Sequence, residues 1–110
     1  MNQPRAPRVV VKAPISFEGR QGVGRGVTFN LSLGGCGLES TADVSMDSTM
    51  KINLHLPTDA KPVKVVRAKV IWTAGKDCGV EFVNMEATSK LRLQHYIDSI
   101  QQQAPKAKVS

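Results

Sequence analysis

Val23-Gly24-Arg25-Gly26-Val27-Thr28-Phe29-Asn30-Leu31-Ser32-Leu33-Gly34-Gly35 is the stretch on which the fold turns. Val23, Arg25, Val27, Phe29 and Leu31 alternate with Gly24, Gly26, Thr28 and Asn30, the period of two that sends successive side chains to opposite faces of a strand. The glycines fall where a backbone can bend or be closely approached. Leu33-Gly34-Gly35 then forces a sharp reversal. Cys36 to Glu39 fits a short returning strand, so the reading moves outward from here as that of a β protein.

Upstream, Val9, Val11, Ala13, Ile15 and Phe17 alternate with Val10, Lys12, Pro14 and Ser16. This is a half-buried strand in which Pro14 marks an edge or a bulge. Gly19-Arg20-Gln21-Gly22 supplies the turn into the quoted stretch. Downstream, Ser40 to Ser48 is a polar connecting loop. Met50, Ile52, Leu54 and Leu56 then alternate with Lys51, Asn53 and His55 until Pro57 stops the strand. After a turn over 58–62, Val63 to Trp72 forms a long fifth strand, expected to carry Val66, Ala68, Val70 and Trp72 on one face. Gly75-Lys76-Asp77 turns the chain into a sixth strand at Gly79-Val80-Glu81-Phe82.

The period then changes. Leu93, Ile97 and Ile100 stand at i, i+4 and i+7, with Tyr96 on the adjacent flank, which predicts an amphipathic helix from about Ala87 to Gln103. Pro105 bars its extension. Six strands joined mostly by short turns, followed by one helix, predict an all-β domain: a six-stranded antiparallel barrel closed or covered by a C-terminal α-helix. The domain is expected over 8–103, between a flexible leader at 1–7 and a disordered tail at 104–110.

With 110 residues, 41% hydrophobic and 22% charged, the chain has room for one folded domain and one core. Its net charge of +6 favours anionic partners without choosing among them. Cys36, Cys78, His55 and His95 are scattered, so packing or surface roles are expected of them rather than a metal site. Met1 to Arg5 has no apolar core of a signal peptide, and no apolar run is long enough for a membrane helix. A cytoplasmic protein with reduced thiols, without membrane insertion, is the expectation.

No nucleophile elbow, P-loop or paired-carboxylate pattern is present, and the chain is not expected to be an enzyme. Gly22-Val23-Gly24-Arg25-Gly26 lies inside a strand pattern with no following helix, which is not the context of a dinucleotide fingerprint. Two other features fit an anion and purine site. Arg5-Ala6-Pro7-Arg8 precedes the first strand, and Asn30-Leu31-Ser32-Leu33-Gly34-Gly35 ends the second. A guanidinium is a planar fork of donors suited to phosphate oxygens or to the O6/N7 edge of guanine, and it stacks on base faces. Asn30 and Ser32 are short polar groups on a strand end, and Gly35 is expected to permit a positive φ and admit a ligand to the backbone. The competing readings are solvated arginines and a locally bonded turn. Trp72 is a lesser candidate, for which core or helix packing is expected.

Together, and in this strand order, these features resemble the PilZ family, marked by R-x-x-x-R before the first strand and [D/N]-x-S-x-x-G after the second. Asn30, Ser32 and Gly35 match the second motif. Val66-Arg67-Ala68-Lys69-Val70-Ile71-Trp72 and Gly79-Val80-Glu81-Phe82 look like the family's later strands, so the resemblance runs from Arg5 to Ile100. The arginines depart from it, because Arg5 and Arg8 are spaced R-x-x-R. Arg8 takes the second-arginine role and Arg5 is a shifted stand-in for the first.

The resemblance implies a cyclic di-GMP receptor with Arg5, Arg8, Asn30, Ser32 and Gly35 as ligand-binding residues and no cofactor. It implies signalling by ligand-induced ordering of the N-terminal segment and a downstream protein partner. The alternative is a PilZ-like protein-interaction adaptor that does not bind the nucleotide. A nucleic-acid-binding barrel is a further reading, disfavoured because five aromatics are few for stacking platforms.

Overall fold

The fold is described from a computed structural model, covering residues 8–20, 22–57 and 60–103. The expected leader at 1–7, Arg5 within it, and the expected tail at 104–110 lie outside the described residues. The strands are β1 (Pro14–Gly19), β2 (Gly22–Ser32), β3 (Gly35–Ser40), β4 (Thr49–Leu54), β5 (Val63–Ala74) and β6 (Asp77–Asn84), followed by helix α1 (Ala87–Gln103). They close a barrel in the order β1-β2-β3-β6-β5-β4, every pairing antiparallel. The six-stranded barrel with a C-terminal helix stands as the sequence implies.

Alternation decides the interior. Ile15, Leu38, Ile52, Leu54, Val65, Val70 and Val80 are almost fully buried in one cluster, each such side chain stabilising the fold by about 1.5–3 kcal/mol relative to exposure. The helix adds Leu93, Tyr96 and Ile97 to the same cluster, as its spacing requires. Arg92 fastens it by donating to the carbonyl oxygens of Pro62, at 3.2 Å, and of Lys61. The helix therefore sits at the end of the barrel where β5 begins.

The first strand differs from expectation at its start. Alternation does run from Val9, which is buried, through Val10, which is 88% exposed. Val9 and Leu31 exchange backbone hydrogen bonds of 2.9 Å. Between them and β1 the ladder is interrupted, because the Thr28 hydroxyl occupies it. That hydroxyl donates to the Val11 carbonyl at 2.6 Å and accepts from the Ala13 amide at 2.9 Å. Pro14, lacking an amide hydrogen, then opens the regular strand.

Two bulges reset which residues face outward in β5. The register with β6 shifts between Arg67 and Ala68 and again between Val70 and Trp72. Ala68 and Val70 stay inside, while Val66 and Trp72, expected on the same face, are 44% and 41% exposed. A bulge places one extra residue against its partner strand and breaks the period of two. In β2 the inward set is Gly24, Gly26 and Thr28, and the exposed set includes Val23 and Val27.

Candidate functional site

Residue 8 is placed by its neighbour. The reciprocal Val9–Leu31 bridge holds the segment ahead of β1 against the end of β2. From there the exposed Arg8 guanidinium donates Nη1–H to Asn30 Oδ1 at 2.8 Å. Asn30 is positioned in turn by a bulge in β2. The register with β3 shifts between Thr28 and Asn30, so Phe29 and Asn30 both emerge opposite Gly37 on the outer surface. The Gly37 amide donates to Asn30 Oδ1 at 2.9 Å.

This arrangement fixes the chemistry of the Asn30 side chain. A backbone amide can only donate, so the carboxamide oxygen must face Gly37 and Arg8. Both lone pairs of that oxygen are engaged, and among the described residues the Nδ2 hydrogens remain available. Asn30 is therefore a donor toward any ligand, suited to a phosphate oxygen or a purine O6/N7 edge. Arg8 uses one of five N–H donors on Asn30, which orients the fork and leaves the other donors for an anion.

Ser32 and Gly35 serve the same loop differently. Ser32 is buried; its hydroxyl donates to the Gly35 carbonyl and accepts from the Gly34 amide, both at 3.2 Å. It ties off the reversal between β2 and β3. Gly35 was expected to provide a positive φ, but among the described glycines only Gly22 and Gly75 have one. A Cβ on Gly35 would lie 2.3 Å from the Val80 carbonyl oxygen. Its need for glycine comes from the close approach of β6. Asn30 and Arg8 thus present donors outward, and Ser32 and Gly35 shape the tip beneath them.

An aromatic pair adjoins this site: Trp72 is the lesser candidate of the sequence, and its pairing with Phe29 is what sequence reasoning missed. Gly37 and Gly79 are direct partners across β3 and β6. A Cβ on Gly37 would fall 2.5 Å from the Phe29 ring, and one on Gly79 would fall 2.1 Å from Trp72 Nε1. The two rings lie over the paired glycines with centroids 6.5 Å apart at 41°. Trp72 is thus neither in the core nor against the helix, because the second β5 bulge turns it outward. Glycines at spacing suited to covering rings were the only available signal, and it needs the β3–β6 register to be read.

Cys36 lies on the inner side of the same strands. Burial above all, with the nearby Cys78 adding to it and Arg8 opposing, pushes its thiol up to about 12. The thiol is thus a packed group, in keeping with its expected role. Among the described residues no cluster of His, Cys, Asp or Glu could hold a metal ion, and no helix is long and apolar enough to cross a membrane.

A family model described as PilZ domain matches residues 2–99. No curated protein matches the chain. Among solved structures, the PilZ domain of CeSA from a cellulose-synthesizing bacterium superposes with a TM-score of 0.68 at 17% identity, covering 87% of this chain and 99% of that one. The PilZ domain of YcgR from Escherichia coli, solved with c-di-GMP, gives 0.72 at 17% identity, covering 94% and 95%. The Bacillus subtilis inhibitor of motility MotI/DgrA gives 0.72 at 14% identity, covering 94% of this chain and 54% of that one. At these identities the structures show the shared fold.

Proposed function

The chain belongs to the PilZ domain family, a cyclic di-GMP-binding family, and on that premise we propose that it is itself a receptor for this nucleotide. The observation that supports the reading is the 2.8 Å contact between Arg8 and Asn30, which joins the N-terminal arginine segment to the motif at the end of β2. Cyclic di-GMP carries two guanines and two phosphates. The Arg8 fork and the Asn30 Nδ2 donors match its acceptors, and the exposed face of Trp72 offers a surface for base stacking. Arg5 would add a second guanidinium from the leader. Closing that leader over the ligand is the proposed signal, at the entropic cost of ordering it.

Calorimetric titration with cyclic di-GMP, paralleled by the emission of Trp72, the single tryptophan, tests the reading. Saturable heat with a matching change in emission is expected in the low-micromolar range, about −8 kcal/mol. No heat at about 100 μM ligand defeats it and leaves the protein-interaction adaptor. Inserting one residue between Arg5 and Arg8 restores the family spacing; a gain in affinity shows that the short spacing weakens the grip.

A further inference from the structure

The outer wall diametrically across the barrel from Gly37 and Gly79 is formed by β1 and β4, since the strand order runs β1-β2-β3-β6-β5-β4. A trough of about 710 Å³ crosses it, reaching from the first half of β2 to the first half of β5. The registers define its floor. Arg25 pairs with Ser16, Ser16 with Asn53, and Asn53 with Lys64, giving one continuous row of outward side chains over four strands. The two in the middle are short and the two at the ends are long and cationic. The adjoining row runs Val23–Glu18–Lys51, with the outward Val66 of β5 also lining the trough. Long side chains therefore wall a depression floored by Ser16 and Asn53.

We propose that this trough is a docking site for an extended acidic segment of a partner protein. Arg25, Lys51 and Lys64 line it, and none of the three is paired with a carboxylate among the described residues. Three interstrand steps separate Arg25 from Lys64, about 14 Å. An extended peptide covers that span in about four residues at roughly 3.3 Å each. Carboxylates at i and i+4 of such a segment share one face and reach both end cations, while one at i+2 stands over Ser16, Asn53 and Lys51. Among the described residues the rim carries apolar side chains left open to solvent: Val23 is 77% exposed and Val66 is 44% exposed.

The same details disfavour a nucleic acid. The one lining aromatic, Phe17, is buried inward, so no ring is offered to a base. Barrel closure leaves β1 and β4 no free edge for added strand pairing, so recognition falls to these side chains. Cyclic di-GMP is not needed for this site, which is centred on β1 and β4 and whose end cation Arg25 stands five residues before Asn30 on β2.

The test uses the full chain labelled with ¹⁵N and the peptide Gly-Glu-Val-Glu-Val-Glu-Gly, titrated to about 1 mM. Amide shifts are expected at Ser16, Lys51, Asn53 and Lys64 and not at Asn30 or Gly37. The double variant Arg25→Glu/Lys64→Glu is expected to lose at least tenfold in affinity, while Lys90→Glu, a similar charge reversal on the helix, stays within twofold. The idea is overturned by absence of shifts at the highest peptide concentration. Equal losses in the double variant and in Lys90→Glu overturn it as well, as does equal binding of the Gln-for-Glu peptide. Tighter binding of oligothymidylate at these same amides would assign the trough to nucleic acid instead.

Discussion

Gly24 and Gly26 on β2 and Gly37 and Gly79 on β3 and β6 lack side chains for opposite reasons. On the inner face, a Cβ on Gly24 would lie 2.5 Å from the Phe17 ring, and one on Gly26 would lie 2.5 Å from the Glu39 carbonyl oxygen and 2.8 Å from Leu38 Cδ1. These positions are empty so that the core can fill the barrel. On the outer face the paired Gly37 and Gly79 are empty so that the Phe29 and Trp72 rings can close down on the backbone. Glycine inside serves stability, and glycine outside serves the shape of a surface beside Asn30. The contrast makes the two faces separable by experiment.

The largest effect should appear in alkali and belongs to the inner face. Burial raises the thiols of both Cys36 and Cys78 above their ordinary value of 9.0, with Cys36 reaching about 12. For a group raised on folding, stability is complete below the unfolded value and is lost as pH climbs toward the folded one. Unfolding free energy should therefore fall between about pH 9 and 12, and a Cys36→Ala/Cys78→Ala variant should show a weaker fall over the same range in urea titrations. An unchanged fall would assign alkaline loss to other groups.

Gly26→Ala comes next. Its new methyl meets backbone that cannot swing aside, and a loss near the upper end of about 1–3 kcal/mol is expected in chemical denaturation. A loss below half a kilocalorie would mean that β3 yields easily and would remove the packing argument for the inner glycines. Thr28→Val should cost about 2 kcal/mol, because the Val11 carbonyl and Ala13 amide lose their shared partner. It should also weaken cyclic di-GMP binding without touching Arg8 or Asn30, since it frees the segment that carries Arg8.

Arg8→Ala reverses the balance between stability and binding. Stability should stay within about 0.5 kcal/mol, because the side chain is exposed, while affinity for cyclic di-GMP drops at least tenfold, equivalent to about 1.5 kcal/mol or more. Unchanged affinity would remove Arg8 from the site. Smallest of all, Gly79→Ala should cost under about 1 kcal/mol, since the exposed Trp72 ring can rotate away. Its signature is a shift in tryptophan emission, and a stability loss as large as that of Gly26→Ala would erase the distinction between the two faces.

The barrel was legible wherever two-residue alternation ran unbroken, as through Met50, Ile52 and Leu54, and the helix wherever 3.6-residue spacing did, as through Leu93 and Ile97. Side assignment failed at the bulges, because one inserted residue shifts the pattern without leaving a mark in it. Val66 and Trp72 were placed inward for that reason. The meeting of Arg8 with Asn30 was readable from the order of the two motifs. The duties of Ser32 and Gly35 were less so: their partners, the Gly34 amide and the Val80 carbonyl, belong to geometry that composition does not carry. Phe29 gained its role from Gly37 and Trp72, two residues that become its neighbours only through strand pairing.

Closure of the barrel also has a price in time. The seam between β3 and β6 joins residues 35–39 to 77–81, and that between β1 and β4 joins 15–19 to 50–54. Contacts so distant along the chain make for slow collapse into the final state, on the order of milliseconds to seconds. On the ribosome the earlier seam can zip while β6 is still unmade, leaving β3 with a bare flank until the last strand emerges. That interval, rather than the finished molecule, is when this sequence is most exposed to pairing with the wrong neighbour.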